Sequence, residues 1–273
     1  MSTLVVGASG FLGSVVARRA AATDHAVVGT ATTAAGGWVP VDITDRKAVR
    51  ALISAVRPKL VINSSGAPWT GSRPAEDWRI TADGAAIVAA EAAAVGARLV
   101  HVSSDALHAG RPSPYTEDDP PTPVSLYGAA KAAAETAVAA VDPSAVIVRT
   151  SLIYGDGASK QETLVRDLIE RRRSGQMFTD EIRCPIHVDD LAAALLELAD
   201  SRFAGLLNVA GPEAVSRAEF GHLIARAQGL DPSALPVGLS TEGGLGPRPL
   251  DVRLDTSLAR TVLRVRLRPV SDM

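Results

Sequence analysis

The sequence predicts an α/β protein built on a doubly wound parallel sheet. Longer alanine-rich stretches with apolar residues at helical spacing alternate with short β-branched runs, namely TLVV, AVVGT, LVIN, RLVHVS and AVIVRT. These runs lack a strict alternation of apolar and polar residues, which is typical of strands that helices cover on both faces. Sheets of this kind bind ligands at the carboxyl ends of their strands, so the motifs at strand ends are the candidate functional positions.

The composition favours a globular chain without a surface for polyanions. The 273 residues are 47% hydrophobic, which suffices for a large core, and 28 Lys+Arg against 30 Asp+Glu give a formal net charge of −2. Because no global basic field results, we expect neither a nucleic-acid partner nor a membrane partner. Glu91 and Glu197 interrupt the longest apolar stretches, and the N-terminus lacks a signal-peptide pattern. A single cysteine, Cys184, cannot form an internal disulfide, so a cytoplasmic location is expected.

The first predicted strand runs directly into a glycine-rich turn with the pattern G-x-x-G-x-x-G. Gly7 permits the sharp turn, and Gly10 lets backbone N–H groups approach a pyrophosphate. Gly13 allows the following helix, which begins near Phe11, to pack closely on the strand. The motif alone leaves a plain tight turn open, but its place between a strand and a helix predicts a Rossmann-type dinucleotide site with phosphates at the helix N-terminus.

The end of the second predicted strand indicates which dinucleotide is preferred. Thr30 and Thr32 stand where a ribose-binding Asp or Glu would be expected. Without that carboxylate nothing repels a 2′-phosphate, and the threonine hydroxyls can donate to it, so NADPH is favoured and NADH is the alternative. Farther along, Asp42 is a candidate acceptor for the adenine amino group, and Asp45 is expected to cap a helix.

A serine, a tyrosine and a lysine form the candidate catalytic set. Tyr127 and Lys131 are four residues apart in a predicted helix and therefore share one face. A protonated Lys131 would lower the pKa of Tyr127 and make it a proton donor to an alkoxide near neutral pH. Ser103, Ser104 and Asp105 follow a predicted strand, where a hydroxyl can hydrogen-bond a reacting carbonyl. The tyrosine and lysine alone would be an ordinary helix surface, but together with the glycine turn they indicate carbonyl reduction.

Seven sequence blocks follow one another along nearly the whole chain: VVGASGFLG, VINSSG, VSSDALHAG, YGAAK, VRTSLIYG, CPIHVDDLA and GPRPLDVRLDTSLA. In these blocks the chain resembles the extended short-chain dehydrogenase/reductase family, and more narrowly its dTDP-4-dehydrorhamnose reductase group. The resemblance implies that Ser104 is the hydroxyl member of the catalytic trio, Tyr127 the acid/base and Lys131 its modulator. It also implies that the substrate is a 4-keto-6-deoxy sugar carried on a nucleotide diphosphate.

The candidate site residues fall into three sets, and no metal site is expected because Cys184 and His187 lack a clustered third ligand. The catalytic set is Ser104, Tyr127 and Lys131. The cofactor-binding set is Gly7, Ser9, Gly10, Phe11, Leu12, Gly13, Thr30, Thr32, Asp42, Ile43, Asn63, Ser64, Ser65, Gly66, Thr81, Ser103, Tyr127 and Lys131. The substrate-binding set is Ser104, Asp105, Tyr127, Arg183 and Arg248, with Arg183 as the first choice for the diphosphate.

Several positions depart from the family pattern. Threonine is common at Ser104 and asparagine at Thr81, and aromatic residues usually stand at Ala106–His108. Arg183 and its neighbours replace smaller or hydroxyl residues, so the sugar need not be the rhamnose precursor. His108 is interpreted as a solvated loop residue or a substrate contact, and Trp69 is expected to pack or to cover the mouth of the cleft.

The chain is predicted to divide near residue 150. Residues 1–150 form the predicted dinucleotide-binding Rossmann domain, and residues 151–273 form mainly a smaller substrate-binding lobe, with some segments returning to the Rossmann domain. Helices are expected over residues 161–174, 189–200 and 216–229, and a loop is expected over residues 230–249. Alanine-rich helices are long enough for an interface, so a homodimer is an open alternative to a monomer.

Two other functions stay open. The first is a non-catalytic NADP-binding regulatory subunit, since relatives of the group include a non-enzymatic partner of methionine adenosyltransferase. The intact trio of Ser104, Tyr127 and Lys131 argues against it. The second is a sugar-nucleotide epimerase or dehydratase, but Asp105 and Ala106 do not supply the Asp-Glu pair familiar in the dehydratases.

Overall fold

The structure is a computed structural model that describes residues 2–23, 26–34, 36–67, 72–243 and 246–273. The strands of these residues are β1 (Ser2–Val6), β2 (Ala26–Ala31), β3 (Val39–Pro40), β4 (Leu60–Asn63), β5 (Arg98–Val102), β6 (Val146–Arg149), β7 (Ile153–Tyr154), β8 (Met177–Phe178), β9 (Ile182–Arg183), β10 (Ile186–His187), β11 (Gly205–Asn208), β12 (Val215–Ser216) and β13 (Val237–Gly238). The helices are α1 (Phe11–Ala21), α2 (Arg46–Val56), α3 (Pro74–Trp78), α4 (Gly84–Ala94), α5 (Leu126–Val141), α6 (Lys160–Ile169), α7 (Val188–Asp200), α8 (Arg217–Ala227) and α9 (Ser257–Val262).

Seven of these strands form one parallel sheet in the order β11-β6-β5-β4-β1-β2-β3. The chain runs outward from β1 through β2 to β3, and then crosses back to β4 on the other side of β1. The carboxyl ends of β1 and β4 therefore flank the point where the strand order reverses, which is where such sheets bind ligands. The predicted doubly wound α/β fold is confirmed, and the five β-branched runs are β1, β2, β4, β5 and β6.

Helices cover both faces of the sheet, which explains why its strands lack polar alternation. Val5 of β1 is buried in a core with α1 and α7, whereas its neighbour Leu4 is buried in a second core with α2, α4 and α5. The alanines of α4 and α5 let these two helices pack closely. Asp45 caps α2 as predicted, since its side chain accepts hydrogen bonds from the backbone of Lys47 and Ala48.

Residues after Arg149 contribute to the sheet and also form a separate core. Helix α7 packs on α1, and β11 extends the sheet beside β6. A third core joins α6, α8 and β8, and the short strand pairs β7–β10, β9–β12 and β8–β13 lie in this part of the chain. The division of function near residue 150 stays a prediction.

The three predicted C-terminal helices correspond to α6, α7 and α8. Helix α6 ends at Ile169, five residues before the predicted end, and Arg171 then adopts a left-handed φ of 56° that no α-helix continues. The predicted loop of residues 230–249 contains β13 and the 3-10 turns Pro232–Ala234 and Ser240–Gly243 among its described residues. None of the described helices combines the length and the apolar character that crossing a bilayer requires.

Candidate active site

The glycine turn has the geometry that its pattern predicts. Gly7 adopts a φ of +85°, which favours glycine. A Cβ at Gly13 would lie 2.1 Å from the Gly7 carbonyl oxygen, so a side chain there would push α1 away from β1. Gly10 stands at the N-terminus of α1 and provides no side-chain cap. The first N–H groups of α1 therefore have no side-chain acceptor at this position, which suits a bound phosphate.

A groove of about 180 Å³ lies beside the glycine turn. Its polar lining contains a single carboxylate among the described residues, that of Asp42, and Ile43 supplies a buried apolar wall. Ala31, Val41 and Ile80 also line the groove, and the sequence analysis missed them because their side chains carry no polar signal. The predicted cofactor residues that the groove brings together are Gly7, Ser9, Gly10, Thr30, Thr32, Asp42, Ile43, Ser64, Ser65 and Gly66.

The two threonines at the end of β2 have different surroundings. Thr30 is buried, and its hydroxyl oxygen accepts a hydrogen bond from the Gly7 backbone, so it ties the glycine turn to β2. Thr32 is exposed at the edge of the groove. Of the two hydroxyls expected to contact a 2′-phosphate, only that of Thr32 is therefore accessible from solvent.

Other predicted cofactor residues stabilise the segments that line the groove. Asn63 is buried and its side-chain oxygen accepts hydrogen bonds from the backbone and hydroxyl of Ser65. The Ser64 hydroxyl donates to the Val6 carbonyl, which joins the ends of β4 and β1. Thr81 lies in a π-helical turn, Arg79–Asp83, that connects α3 to α4, and is buried there.

The catalytic candidates meet where α5 begins, beside the end of β5. Ser125 caps α5 by accepting a hydrogen bond from the Gly128 backbone, which places Tyr127 in the first turn and Lys131 in the second. Lys131 is buried and its ammonium group donates to the Val102 carbonyl at 3.0 Å. A Cβ at Gly66 would lie 3.9 Å from this ammonium group, so Lys131 reaches the cofactor groove.

The electrostatics of the trio differ from the prediction. Burial raises the pKa of the Tyr127 hydroxyl, a hydrogen bond with Ser104 opposes this effect, and the charge of Asp105 adds to it. Burial also lowers the pKa of Lys131 to about 8. The pKa of Tyr127 is therefore raised and not lowered as expected, because burial is the dominant effect, and the Lys131 ammonium group donates to the Val102 carbonyl.

A cavity of about 490 Å³, here called the reaction cavity, contains the hydroxyls of Ser104 and Tyr127. Phe11 and Leu12, which were expected on the cofactor side, also line it. The predicted substrate residues all belong to its lining, and they are Ser104, Asp105, Tyr127, Arg183 and Arg248. Ser103 is not part of it, since that side chain is buried and its hydroxyl has no hydrogen-bond partner among the described residues.

Asp105 is a buried carboxyl group beside the catalytic serine. Its Oδ2 accepts a hydrogen bond from the Ser151 hydroxyl at 2.6 Å, and the Ser104 hydroxyl lies 3.3 Å from Oδ1. Burial raises the pKa of Asp105, while the nearby Arg183 guanidinium lowers it. Ser104 also accepts a hydrogen bond from the Ala106 backbone, so its hydroxyl is held in place from two sides.

Arg183 has a role other than the predicted one. It is 5% exposed, and its guanidinium donates to the carbonyl oxygens of Ile182, Pro249 and Leu250. It also forms an ion pair with Glu181 at 3.1 Å. These contacts occupy the donors that a diphosphate would need, so Arg183 clamps the segment of residues 249–250 to β9 instead of presenting a free cation.

Arg248 is the more accessible of the two predicted arginines. It is half-buried, pairs with Glu181 at 3.3 Å, and lies over the Phe178 ring with 4.9 Å between Cζ and the ring centroid. Its Nε has no hydrogen-bond partner among the described residues. Arg248 therefore has one buried donor without a partner, and its side chain belongs to the lining of the reaction cavity.

His108 does not belong to the lining of the reaction cavity. His108 is fully buried and stacks on Tyr115 at 4.0 Å between ring centroids, so the expectation of a solvated loop residue is wrong. Burial lowers the pKa of His108 to about 4. Trp69 lies outside the described residues.

The sequence pairs His187 with Cys184 as candidate metal ligands, but in the structure His187 lies beside two aspartates instead. Ligand atoms of Asp156, His187 and Asp189 lie within 4.8 Å of one another, whereas Cys184 is not part of this group. The His187 Nδ1 already accepts a hydrogen bond from the Asp189 backbone, and Arg19 pairs with the Asp189 carboxylate at 2.7 Å. These contacts give the group structural roles at the start of α7.

Comparison with known proteins supports the resemblance found in the sequence. The family model described as RmlD substrate binding domain matches residues 1–272. A dTDP-4-dehydrorhamnose reductase of Mycolicibacterium smegmatis is 34% identical over 257 residues, covering 90% of this chain and 75% of that protein. Methionine adenosyltransferase 2 subunit beta of Rattus norvegicus is 30% identical over 273 residues, covering 95% of this chain and 81% of that protein.

Solved structures agree with this assignment. A dTDP-4-dehydrorhamnose reductase of Clostridium acetobutylicum aligns with a TM-score of 0.88 at 26% identity, covering 100% of this chain and 96% of that one. A dTDP-4-dehydrorhamnose reductase of Bacillus anthracis in complex with NADP shares the fold, with a TM-score of 0.87 at 24% identity and coverage of 99% and 96%. From the family match and the reductase relative, the chain belongs to the RmlD substrate-binding-domain family.

Proposed function

We propose that the protein is an NAD(P)-dependent oxidoreductase that uses NADPH to reduce the keto group of a nucleotide-linked 4-keto-6-deoxy sugar. The observation that carries this proposal is the meeting of Ser104, Tyr127 and buried Lys131 at the carboxyl ends of the sheet, beside the glycine turn. Membership of a family that includes a dTDP-4-dehydrorhamnose reductase at 34% identity supports the same substrate class.

The cofactor groove fits a dinucleotide. Gly7 and Gly13 leave room that a side chain would fill, the N-terminus of α1 carries no side-chain cap, and Ile43 offers an apolar wall for adenine. The bound dinucleotide supplies the hydride. Thr30 and Thr32 stand at the end of β2 in place of a ribose-binding carboxylate, and the one carboxylate in the described lining, that of Asp42, follows β3 instead, so NADPH is preferred over NADH.

Side chains at the reaction cavity donate the proton that the reduction requires and orient the keto oxygen that receives it. Tyr127 donates its hydroxyl proton to the oxygen of the keto group as that oxygen becomes an alkoxide. Ser104 hydrogen-bonds the same oxygen and holds it in line with Tyr127. Lys131 is protonated below its pKa of about 8, so near neutral pH it places a positive charge at the groove and can donate to the nicotinamide ribose. The raised pKa of Tyr127 keeps its proton in place until the alkoxide forms.

The regulatory alternative has one specific observation in its favour, the 30% identity to methionine adenosyltransferase 2 subunit beta. A non-catalytic subunit does not require acid/base residues in fixed positions. In this chain Gly128 and Ser125 position Tyr127 beside Ser104, which favours an enzyme. A dehydratase is disfavoured because Ala106 provides no second acid next to Asp105.

The test is NADPH absorbance during incubation of the purified chain with enzymatically prepared dTDP-4-keto-6-deoxy sugars, including the 3,5-epimerised form. A parallel series with NADH measures cofactor preference. Consumption of NADPH with one of the sugars, without any partner protein, is the expected result. If the chain binds NADPH but oxidises it with none of the sugars, the reductase proposal fails and the regulatory alternative gains support.

A further inference from the structure

A second cavity of about 590 Å³, here called the side cavity, lies next to the reaction cavity. Glu181 and Arg248 line both cavities, so the two adjoin at these side chains. The remaining walls of the side cavity come from α6, the segment 173–178, the first residue of α8 and residues 242–243. A ligand whose reacting end lies at Tyr127 and which is longer than a single sugar can therefore extend into the side cavity.

Arg217 is the first residue of α8 and lines the side cavity. Its backbone N–H donates to the Glu181 carbonyl at 2.8 Å, which fixes the start of α8 beside that residue. Its half-buried guanidinium has no hydrogen-bond or ion-pair partner among the described residues. A cation that is partly removed from water is costly unless an anion accompanies it.

The charges around Arg217 do not balance. Three guanidinium groups, those of Arg183, Arg217 and Arg248, act on one another together with two carboxyl groups, those of Glu181 and Asp105. Glu181 is shared between Arg183 at 3.1 Å and Arg248 at 3.3 Å. Asp105 is buried, and burial favours its neutral form. The described lining of the side cavity contains three arginines, Arg173, Arg217 and Arg248, against two glutamates, Glu181 and Glu242. Positive charge is therefore in excess there, and a ligand with negative charge would neutralise it.

We propose that Arg217, together with Arg248, binds the diphosphate of the substrate, and that the nucleotide occupies the side cavity. The proposal rests on the proposed function for the identity of the ligand. The planar guanidinium fork of Arg217 matches two phosphate oxygens. Arg248 can turn to the diphosphate because Glu181 keeps Arg183 as its partner. Arg183 stays a structural clamp, since backbone carbonyls occupy its donors.

No sequence motif indicates Arg217, because it is distant along the chain from the catalytic motifs. It lies 90 positions after Tyr127, in a segment that carries no nucleotide-binding pattern. Only the fold brings it into the side cavity, next to Glu181, which lines both cavities.

The test is calorimetric titration of the full chain with dTDP, UDP, inorganic pyrophosphate and thymidine, which requires no turnover. We expect Arg217→Gln to weaken the binding of dTDP and UDP by about tenfold or more, because a charge-assisted contact to phosphate is lost. Arg217→Lys keeps the charge without the fork, and should retain part of the affinity. The matched control is Arg202→Gln, which removes an exposed arginine that lines neither cavity.

The outcomes separate this proposal from the reductase proposal. Unchanged dTDP affinity in folded Arg217→Gln overturns the role of Arg217, whatever the reductase assay shows. If Arg217→Gln weakens the binding of dTDP and of thymidine equally and leaves pyrophosphate binding unchanged, Arg217 contacts the nucleoside. That result also overturns the diphosphate contact. A third outcome is that Arg217→Gln weakens the binding of dTDP and pyrophosphate while the wild-type chain oxidises no NADPH with any sugar. This pair of results supports the diphosphate site and contradicts only the reductase proposal.

Discussion

Gly128 lies so close to Ala106 that a Cβ at residue 128 would be 2.2 Å from the Ala106 carbonyl oxygen. The contact joins the first turn of α5 to the loop that follows Ser104. It places the Tyr127 hydroxyl and the Ser104 hydroxyl in the same cavity, although the two residues belong to different elements. The spacing between Tyr127 and Ser104 is therefore set by a backbone contact that tolerates only glycine.

Gly128→Ala should lower kcat by about tenfold or more, because a misplaced acid loses much of its contribution to catalysis. Alanine favours a helix by about 1 kcal/mol over glycine, but the clash with a backbone oxygen outweighs this gain. NADPH binding, measured by fluorescence titration, should change little. Gly246→Ala is the matched control, since a Cβ there meets nothing within 4 Å. An unchanged kcat in Gly128→Ala would show that the contact does not position Tyr127.

Tyr127→Phe should retain NADPH binding and lose most turnover, since the proton donor is removed while the groove stays intact. Loss of general acid catalysis costs about 10²-fold to 10⁴-fold in rate. Tyr154→Phe removes a hydroxyl that has no hydrogen-bond partner among the described residues and lies outside the reaction cavity, so its turnover should match the wild type. Undiminished reductase activity in Tyr127→Phe would reject the assigned role.

Activity should decline as the pH rises through about 8, where Lys131 loses its proton. The measurement is kcat/KM for NADPH against pH, which reports the ionisations of the free enzyme. Lys131→Arg keeps its charge at higher pH and should move or abolish this decline, whereas Lys131→Met should be impaired at every pH. A decline at the same pH in Lys131→Arg would assign the ionisation to another group.

The same lysine has an opposite effect on stability. Its pKa is lowered from 10.5 in the unfolded chain to about 8 in the folded chain, so the unfolded chain binds more protons between these values. The contribution of Lys131 to the free energy of unfolding therefore rises with pH from about 8 to 10.5. Urea unfolding of the wild type and Lys131→Met across this range should show a rise that only the wild type has.

Acid should destabilise the fold through two buried histidines. Burial lowers the pKa of His101 to about 3 and that of His108 to about 4, from an ordinary value of 6.5. Below pH 6.5 the two histidines become protonated in the unfolded chain but stay neutral in the folded chain. The free energy of unfolding therefore falls by up to about 1.4 kcal/mol per pH unit for each histidine. The fall continues to about pH 4 for His108 and to about pH 3 for His101.

The variant His101→Leu combined with His108→Phe should flatten this fall. Phenylalanine keeps the stacking on Tyr115, and leucine replaces a ring whose nitrogens have no partner among the described residues. Urea unfolding at a series of pH values measures the slope, and the region above pH 7 serves as the internal control because both histidines are neutral there in either state. An equally steep fall in the double variant would place the acid sensitivity elsewhere.

Local sequence determined the strands, the glycine turn and the Asp45 cap. Each of these depends on neighbours within a few residues: β-branched side chains favour extended backbone, Gly7 accommodates a positive φ, and Asp45 caps N–H groups two and three residues ahead. The spacing of Tyr127 and Lys131 likewise placed them one helical turn apart. The cofactor groove was therefore largely predictable, since most of its lining follows directly after strands.

The tertiary structure alone decided the electrostatics and the substrate end of the site. Arg183 is a clamp because residues 249–250 fold over it, and His108 is buried where Tyr115 stacks on it. The position of α8 places Arg217 in the lining of the side cavity. The pKa of Lys131 depends on burial against β5. Burial and contacts between distant segments fix which cations are free and which groups hold protons, and no local pattern in the sequence carries that information.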